Sequence, residues 1–156
     1  GLVDRKMLLM ALATIRAETE GFVPISEFVS KFNTEKTPFD KYDKGTAKGK
    51  ELGNTQIGDG PRYRGRGFVQ LTGRFNYQTV GDQLRIDLAS QPELANESSI
   101  AGLILAQFLS NSRSNILEAS ANGDLRTARG LVNGGSHGLE RFIDAFKKGE
   151  EVVPDF

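Results

Sequence analysis

The stretch that decides the fold is "RYRGRGFVQLTGRFNY", residues 62–77. It combines four arginines and three glycines with a short run in which apolar and polar residues alternate. Successive side chains of a strand point to opposite faces, so the run separates into two sets: Val69 and Leu71 on one face, and Phe68, Gln70 and Thr72 on the other. The alternation predicts a short strand or hairpin arm that buries one face and shows the other to a ligand.

Arginine and glycine with interleaved aromatics also suggest an RNA-binding module. The run "RGFV" begins like the RNA-recognition signature, but Val69 stands where Gly or Ala belongs and Gln70 where Phe belongs. That fold also needs a four-stranded sheet, and the chain has too few predicted strands. Twenty basic and twenty acidic residues give a formal net charge of zero, so no overall field attracts nucleic acid. We expect no nucleic-acid partner, and arginines that hold the loop through carbonyls and carboxylates.

The remainder of the chain is predicted to be helical. A first helix runs from an N-cap at Asp4 to a stop at Gly21. Its core face follows three-four spacing: Leu8, Ala11, Leu12, Ile15 and either Glu18 or Thr19. Further helices are predicted in "RFNYQTVGDQL", "ESSIAGLILAQFLSNS" after an Asn96 cap, "NILEASA", "LRTARGLVN" after an Asp124 cap, and "GLERFIDAFKKG" up to Gly149. The predicted fold is mainly α with a small β element, with two helical lobes around a cleft.

Composition bounds the remaining possibilities. A chain of 156 residues is the size of one domain with one substantial core. The absence of cysteine excludes disulfides, thiolate nucleophiles and cysteine-bound zinc. No apolar run approaches the length of a membrane span. Because the chain opens at Gly1 without a secretory pattern, we expect it to be trimmed, and its localisation stays open.

The lysine-rich segment 40–51, "DKYDKGTAKGKE", was tested as an ion or phosphate loop. As a calcium loop it has Asp, Gly and Glu at the right places, but Tyr42 and Lys44 occupy ligand positions. As a phosphate loop it is one residue short, and Glu51 stands where Ser or Thr should hold magnesium. We interpret it as a solvated loop and predict neither a metal site nor a cofactor.

Glu18 is the most informative single residue. A carboxyl on an apolar helix face is partly desolvated, which disfavours its charged form. The C-terminal end of a helix also opposes negative charge. Both effects predict a carboxylic acid that keeps its proton near neutral pH, as a general acid must. The alternative, which the pattern alone favours, is a glutamate paired with a core arginine or one that only borders the apolar face. A proton donor for glycoside hydrolysis needs a second carboxylate, for which Glu27, Asp40 and Asp43 are candidates.

Three segments together resemble glycoside hydrolase family 19, which contains plant-type chitinases and many phage and bacterial endolysins. They are "AETEGF", "LGNTQIGDGPRYRGRGFVQLTGRFNY" and "LVNGGSHGLERF", in the family's order and across most of the chain. The resemblance implies a single, lysozyme-like catalytic domain over residues 1–156. It also implies that residues 62–77 form the floor of a sugar-binding cleft.

The resemblance assigns roles to individual residues. Glu18 corresponds to the general acid, and the endolysin arrangement, with a second glutamate nine residues later, falls on Glu27. The chitinase arrangement falls loosely on Asp43, and Thr72 would help to hold the attacking water. The implied substrate contacts are Gln70, Asn76, Tyr77 and Asn133, to which Phe68 and Tyr77 would add apolar contact with a sugar ring. Chitinase members often have a glutamate near the position of His137.

The function that follows is an inverting endo-glycosidase that hydrolyses β-1,4 linkages in polymers containing N-acetylglucosamine. Peptidoglycan is the favoured polymer because the spacing of the two glutamates is that of the endolysin branch, and chitin is second. We expect a monomer whose partner is the polysaccharide, and an enzyme that acts on cell walls after secretion or lysis. The alternative function is a catalytically inactive sugar-binding module on the same fold.

Overall fold

The computed structural model describes residues 4–19, 21–133 and 138–155, and it confirms a mainly helical chain with a small β element. The α-helices are α1 (Arg5–Thr19), α2 (Ala47–Glu51), α3 (Asp59–Arg62), α4 (Arg74–Leu84), α5 (Ser98–Asn111), α6 (Arg113–Ala121), α7 (Leu125–Asn133) and α8 (Leu139–Val152). The strands are β1 (Ile25–Ser26) and β2 (Arg66–Gly67), and short 3₁₀ turns cover Asp40–Tyr42 and Pro92–Asn96. None of the helices in the described ranges has both the length and the apolarity to cross a bilayer.

The chain divides into two compact units. We call residues 1–23 and 102–156 the helical unit and residues 24–101 the hairpin unit. In the helical unit, α1 packs mainly against α8, and α6 packs against α7. Gly149, which the sequence indicated as a helix stop, lies inside α8. A Cβ atom there would come within 2.5 Å of Leu9 Cδ2, so this glycine allows α8 to approach α1 closely.

The start of α1 was predicted correctly. Asp4 accepts hydrogen bonds from the backbone N–H groups of Lys6 and Met7, as an N-cap should. The predicted buried face of α1 is wrong for Leu8, Leu12 and Ile15, which are half-buried. Ala11 is buried, and the side chain of Glu18 is only 9% exposed. The face that enters the core consists of Met7, Leu9, Met10, Ala11, Ala13, Thr14 and Ala17. Since apolar residues surround most of this helix, three-four spacing could not choose between its faces.

The predicted role of Asn96 as a cap for α5 is also wrong. Its side chain instead ties the two strands together, since Oδ1 accepts from the Gly67 N–H at 3.0 Å and Nδ2 donates to Ser26 Oγ at 2.7 Å. In α5 itself, Ile104 is buried as predicted, whereas Leu103 is 50% exposed. Asp124 does cap α7, through a hydrogen bond from the Thr127 N–H at 3.0 Å.

The hairpin unit is organised by the antiparallel pair β1 and β2. Ile25 lies opposite Gly67 and Ser26 opposite Arg66, and the Glu27 N–H donates to the Gly65 carbonyl at 2.7 Å. The pairing therefore continues to the point where Glu27 faces Gly65. The strand or hairpin arm predicted over residues 67–73 overlaps β2 only at Gly67, and β1 was not predicted.

The predicted alternation over residues 67–73 is wrong in detail. Strand β2 ends at Gly67, residues 68–70 form a turn, and Leu71 pairs back with Arg66. Gln70 takes a left-handed backbone conformation in this turn, with φ 54°. Because the chain reverses here, Phe68 and Val69 are both buried instead of pointing to opposite faces.

The arginines of the opening stretch act as internal ties, as predicted. Arg66 is buried, and its Nη1 donates to the carbonyls of Arg62 and Arg64 and to Tyr77 Oη. Arg62 donates to the carbonyls of Ala89 and Ser90. These cations are thus engaged with the fold of their own unit.

Arg74, the fourth arginine of residues 62–77, forms a buried ion pair with Asp59 in the hairpin unit. Its Nη2 lies 2.5 Å from Oδ1 of Asp59, whose side chain is only 2% exposed. Asp59 Oδ2 accepts from Arg74 Nε and from the backbone N–H groups of Thr55 and Gln56. Although burial alone would raise it, these hydrogen bonds and the cation hold the pKa of Asp59 below its usual range.

We predict that Asp59→Asn lowers the free energy of unfolding by about 3 kcal/mol at pH 7, because it leaves Arg74 without its counter-ion. Urea denaturation of the variant and the wild type measures this difference. The matched control is Glu51→Gln, which removes an exposed pair with Lys48 and should cost less than about 0.5 kcal/mol. Equal losses in the two variants would contradict the buried pair.

The same variant has a predicted pH dependence. The pKa of Asp59 is depressed in the folded chain, so its contribution is complete above the unfolded value of about 3.9 and is lost as the pH falls through the folded value. The stability difference between wild type and Asp59→Asn should therefore shrink below about pH 4. A difference that stays constant down to pH 2.5 would argue against an ionised Asp59.

Candidate active site

Glu27 lies immediately after β1 and is held by three donors. Its Oε1 accepts from Asn33 Nδ2 at 2.9 Å and from the Tyr42 hydroxyl at 2.7 Å, and its Oε2 accepts from the Gly65 N–H at 3.1 Å. An ionised carboxylate offers only acceptors, so three donors match its charged form. Burial and the hydrogen bond to Glu27 raise the pKa of Tyr42, which therefore stays a hydroxyl donor.

Gly65 is the point at which predicted site residues meet. A Cβ atom on Gly65 would lie 2.8 Å from Gln70 Oε1 and 3.2 Å from both Glu27 Oε2 and Thr72 Oγ1. Two polar atoms from the neighbouring turn and one from the sequence-distant Glu27 thus converge on one residue that has no side chain. Because Glu27 Oε2 and Thr72 Oγ1 each lie 3.2 Å from the same point, the distance between these two oxygens is at most twice 3.2 Å.

Thr72 and Gln70 have different hydrogen-bonding capacities towards a ligand. The Thr72 hydroxyl donates to the Gln70 carbonyl at 2.8 Å, which leaves its oxygen as an acceptor. Gln70 Nε2 donates to the carbonyls of Ile25 and Gly67, so the amide nitrogen serves the hairpin and Oε1 faces Gly65. Asn76 is half-buried, and its Nδ2 donates to the Thr72 carbonyl at 2.8 Å.

Two predicted sugar contacts lie in the core. Phe68 is 7% exposed, and Tyr77 is fully buried and packs against Tyr63 with ring centroids 5.3 Å apart. The Tyr77 hydroxyl donates to the Arg64 carbonyl and accepts from Arg66, and burial raises its pKa to about 12. Direct stacking of either ring on a sugar is therefore not available in this structure, and their contribution is to support the turn and α4.

The carboxylate of Asp43 accepts hydrogen bonds from backbone N–H groups. Its two carboxylate oxygens accept from the Gly58 N–H at 2.8 and 2.9 Å, and Oδ1 also accepts from the Gly60 N–H at 3.3 Å. These contacts fix the start of α3 to the segment before α2. The segment 40–51 was interpreted as a solvated loop: it is largely solvent-accessible, but it holds a 3₁₀ turn and α2.

In the helical unit, Glu18 is the penultimate residue of α1. Its side chain is only 9% exposed, and Oε1 forms an ion pair with Nη2 of Arg129, which is fully buried in α7. Arg141 reaches the same end of α1 and donates to the Ala17 carbonyl at 3.3 Å. The Glu18 carboxyl is thus buried, as predicted. It is also paired with a core arginine, Arg129, as the alternative interpretation predicted. The protonation of Glu18 stays a prediction.

Nothing is described of the side chains of two residues discussed in the sequence analysis. His137 lies outside the described residues, and Asn133 ends α7 without a described side chain. Within residues 4–19, 21–133 and 138–155, no three His, Asp or Glu side chains are arranged to hold a metal ion.

Sequence reasoning missed four residues of the candidate site: Asn33, Tyr42, Gly65 and Arg129. Arg129 carried a signal, because it adjoins Ala128 and precedes Val132 on the buried side of an amphipathic helix. Asn33 and Tyr42 reach Glu27 from six and fifteen residues away, through a segment with no periodic pattern. No local rule connects them to a carboxylate.

Comparisons with known proteins agree with the fold. The solved structure of chitinase C from Streptomyces griseus superimposes with a TM-score of 0.65 and 21% sequence identity, over 94% of this chain and 71% of that one. A single-residue variant of chitinase C gives a TM-score of 0.62 over 97% of this chain and 74% of that one. At this identity the likeness shows the fold alone, and it agrees with the predicted mainly α fold with a small β element.

Sequence relatives are matched over shorter lengths. An endochitinase of Arabidopsis thaliana is 35% identical over 89 residues, which are 54% of this chain and 34% of that protein. Chitinase 11 of Oryza sativa is 45% identical over 40 residues, 26% of this chain and 16% of that protein. The chain thus spans about a third or less of the length of these curated relatives. No protein-family model matches it.

We predict that Gly65→Ala lowers the free energy of unfolding by about 1–3 kcal/mol, because the added methyl group overpacks the three converging oxygens. Chemical denaturation measures the loss. The control is Gly102→Ala in α5, where a Cβ atom meets nothing within 4 Å and alanine favours the helix. If Gly65→Ala proved as stable as Gly102→Ala, the convergence on Gly65 would be wrong.

Proposed function

We propose that this family 19 chitinase-like domain is an inverting glycoside hydrolase, with Glu18 as general acid and Glu27 as general base. The observation that carries the proposal is the convergence of Glu27 Oε2 and Thr72 Oγ1 on Gly65. It supports a place where a carboxylate and a hydroxyl hold the same water. The chitinases found in the comparisons support a glycoside hydrolase acting on chitin-type polymers.

The hydrogen-bonding capacity of the two groups suggests how the water is held. Glu27 Oε2 and Thr72 Oγ1 are both acceptors, since the Thr72 hydrogen is directed to the Gln70 carbonyl. One water would donate one hydrogen to each oxygen and keep its lone pairs for the anomeric carbon. Gly65 leaves room for this water because it places no carbon atom between the three polar groups.

In the proposed reaction, the proton of Glu18 moves to the glycosidic oxygen as the bond from that oxygen to the anomeric carbon breaks. The water oxygen bonds to the opposite face of that carbon while Glu27 takes the water proton. Glu18 ends ionised and Glu27 protonated, and exchange with solvent restores both. Arg129 would stabilise the carboxylate that Glu18 becomes. Inversion requires a separation of the two carboxyl groups of about 6.5–9.5 Å, which leaves room for the water.

Glu27 is preferred to Asp43 as the second acid. The Asp43 carboxylate is engaged with the backbone at Gly58 and Gly60, whereas Glu27 lies beside Thr72.

A base nine residues after the acid is the endolysin arrangement that the sequence resembles. We therefore propose peptidoglycan as the polymer, with chitin second, and a monomeric domain of residues 1–156 that needs no cofactor. The substrate contacts retained in the proposal are Gln70, Asn76 and Asn133.

We predict that Glu18→Gln and Glu27→Gln each reduce hydrolysis at least about 100-fold, because an amide can neither donate nor accept the required proton. Initial rates of reducing-end release measure the loss, and circular dichroism checks the fold. The matched control is Glu51→Gln, an exposed carboxylate on α2 that should leave the rate unchanged. Undiminished hydrolysis in Glu18→Gln or Glu27→Gln would contradict the assignment. Polymer binding without turnover by the wild type would indicate the inactive sugar-binding module.

The polymer preference has a separate test. Purified bacterial sacculi and colloidal chitin are offered to the wild type under identical conditions, and reducing ends are counted. We predict faster release from sacculi, because Glu27 takes the place of the base of the endolysin arrangement. Release from chitin alone would show that the preference for peptidoglycan is wrong while leaving the glycosidase intact.

A further inference from the structure

We propose that Tyr42 and Asn33 are positioning residues that hold Glu27 Oε1, so that Oε2 is the oxygen that receives the proton of the attacking water. This inference rests on the proposed function and adds an atomic assignment to it. Neither residue has a role in the reaction described above. Both act on the water only through Glu27.

The two oxygens of Glu27 have unequal surroundings. Each oxygen of a carboxylate has about two lone-pair sites. Oε1 fills both, with Tyr42 Oη at 2.7 Å and Asn33 Nδ2 at 2.9 Å. Among the described residues, Oε2 accepts one hydrogen bond, from the Gly65 N–H at 3.1 Å. Its second lone-pair site is therefore available to water, and both Oε2 and Thr72 Oγ1 lie 3.2 Å from the position that a Gly65 Cβ atom would take.

Asn33 is fixed in the orientation that this assignment needs. Its side chain is almost fully buried, at 1% exposure. Oδ1 accepts from the Ser30 N–H and the Thr34 hydroxyl, and Nδ2 donates to the Phe28 carbonyl as well as to Glu27. An amide turned by 180° would set acceptor against acceptor at Glu27 and Phe28. The loop thus directs an N–H group at the carboxylate permanently.

Tyr42 is fixed by different contacts. Its carbonyl accepts from Asn54 Nδ2 at 2.7 Å, its N–H donates to the Phe39 carbonyl at 3.0 Å, and its ring lies 6.3 Å from that of Phe39. Burial raises the pKa of this hydroxyl. It therefore remains a donor across the pH range in which a carboxylate titrates.

Other groups that act on the charge of Glu27 stay in place when Tyr42 is changed. They are the cation of Arg64 and the buried hydroxyl of Tyr77. The Tyr77 hydroxyl is directed to the Arg64 carbonyl and not to Glu27. Replacing Tyr42 by phenylalanine therefore removes one hydrogen bond to Oε1 and leaves these charges unaltered.

The experiment follows the titration of the Glu27 carboxyl carbon by ¹³C NMR in wild type, Tyr42→Phe and Tyr63→Phe. Removing a donor to the charged form disfavours that form, so the midpoint in Tyr42→Phe should rise by about one pH unit. The acid limb of the kcat/KM profile should move in the same direction. Tyr63→Phe is the matched control, because its hydroxyl is buried in the same unit and donates to the Ala89 carbonyl. It should leave both midpoints unchanged.

A second variant, Asn33→Asp, replaces the amide donor by an acceptor and should raise the midpoint further than Tyr42→Phe does. A midpoint equal to that of wild type in both folded variants would overturn the inference. Its failure is distinct from failure of the proposed function. A wild type that releases no reducing ends contradicts the glycosidase, and the NMR titration still decides whether Tyr42 and Asn33 hold the Glu27 carboxylate.

Discussion

The pairing of residues 25–27 with residues 65–67 is the constraint on which the candidate site depends. It sets Glu27 opposite Gly65 through a backbone hydrogen bond, and the turn that follows returns Gln70 and Thr72 to the same point. A side chain at residue 65 would occupy the space into which these three polar groups point. The glycine is required here by close approach and not by an unusual backbone angle.

Around this ladder, charge is used to fix the backbone. Arg62 and Arg66 bind carbonyl groups, Arg74 pairs with buried Asp59, and Asp43 binds the amides at the start of α3. The guanidinium groups of this arginine-rich segment therefore find their hydrogen-bond acceptors and counter-ion within the fold of the hairpin unit. The arginines concentrated at the centre of a chain of zero net charge thus serve to hold its own backbone.

Local chemistry allowed much of the fold to be predicted from sequence. The caps at Asp4 and Asp124 and the extent of α4 follow from short-range rules. The buried face of α1 did not follow, because apolar residues lie on most of its circumference. The prediction of a helix stop at Gly149 was wrong, because the glycine is explained by a tertiary contact, the close approach of Leu9 to its backbone. The resemblance named Glu27 and Thr72, but the donors that hold Glu27 come from residues 6, 15 and 38 positions away, whose places only the folded chain fixes.

The central claim is that a water held by Glu27 and Thr72 attacks the anomeric carbon directly from the face opposite the leaving group. The anomeric configuration of the first product tests it most directly, by ¹H NMR recorded during hydrolysis of a soluble β-1,4-linked N-acetylglucosamine oligomer. The α-anomer should appear first and convert slowly to the equilibrium mixture. Initial formation of the β-anomer would require a covalent intermediate and would contradict the claim.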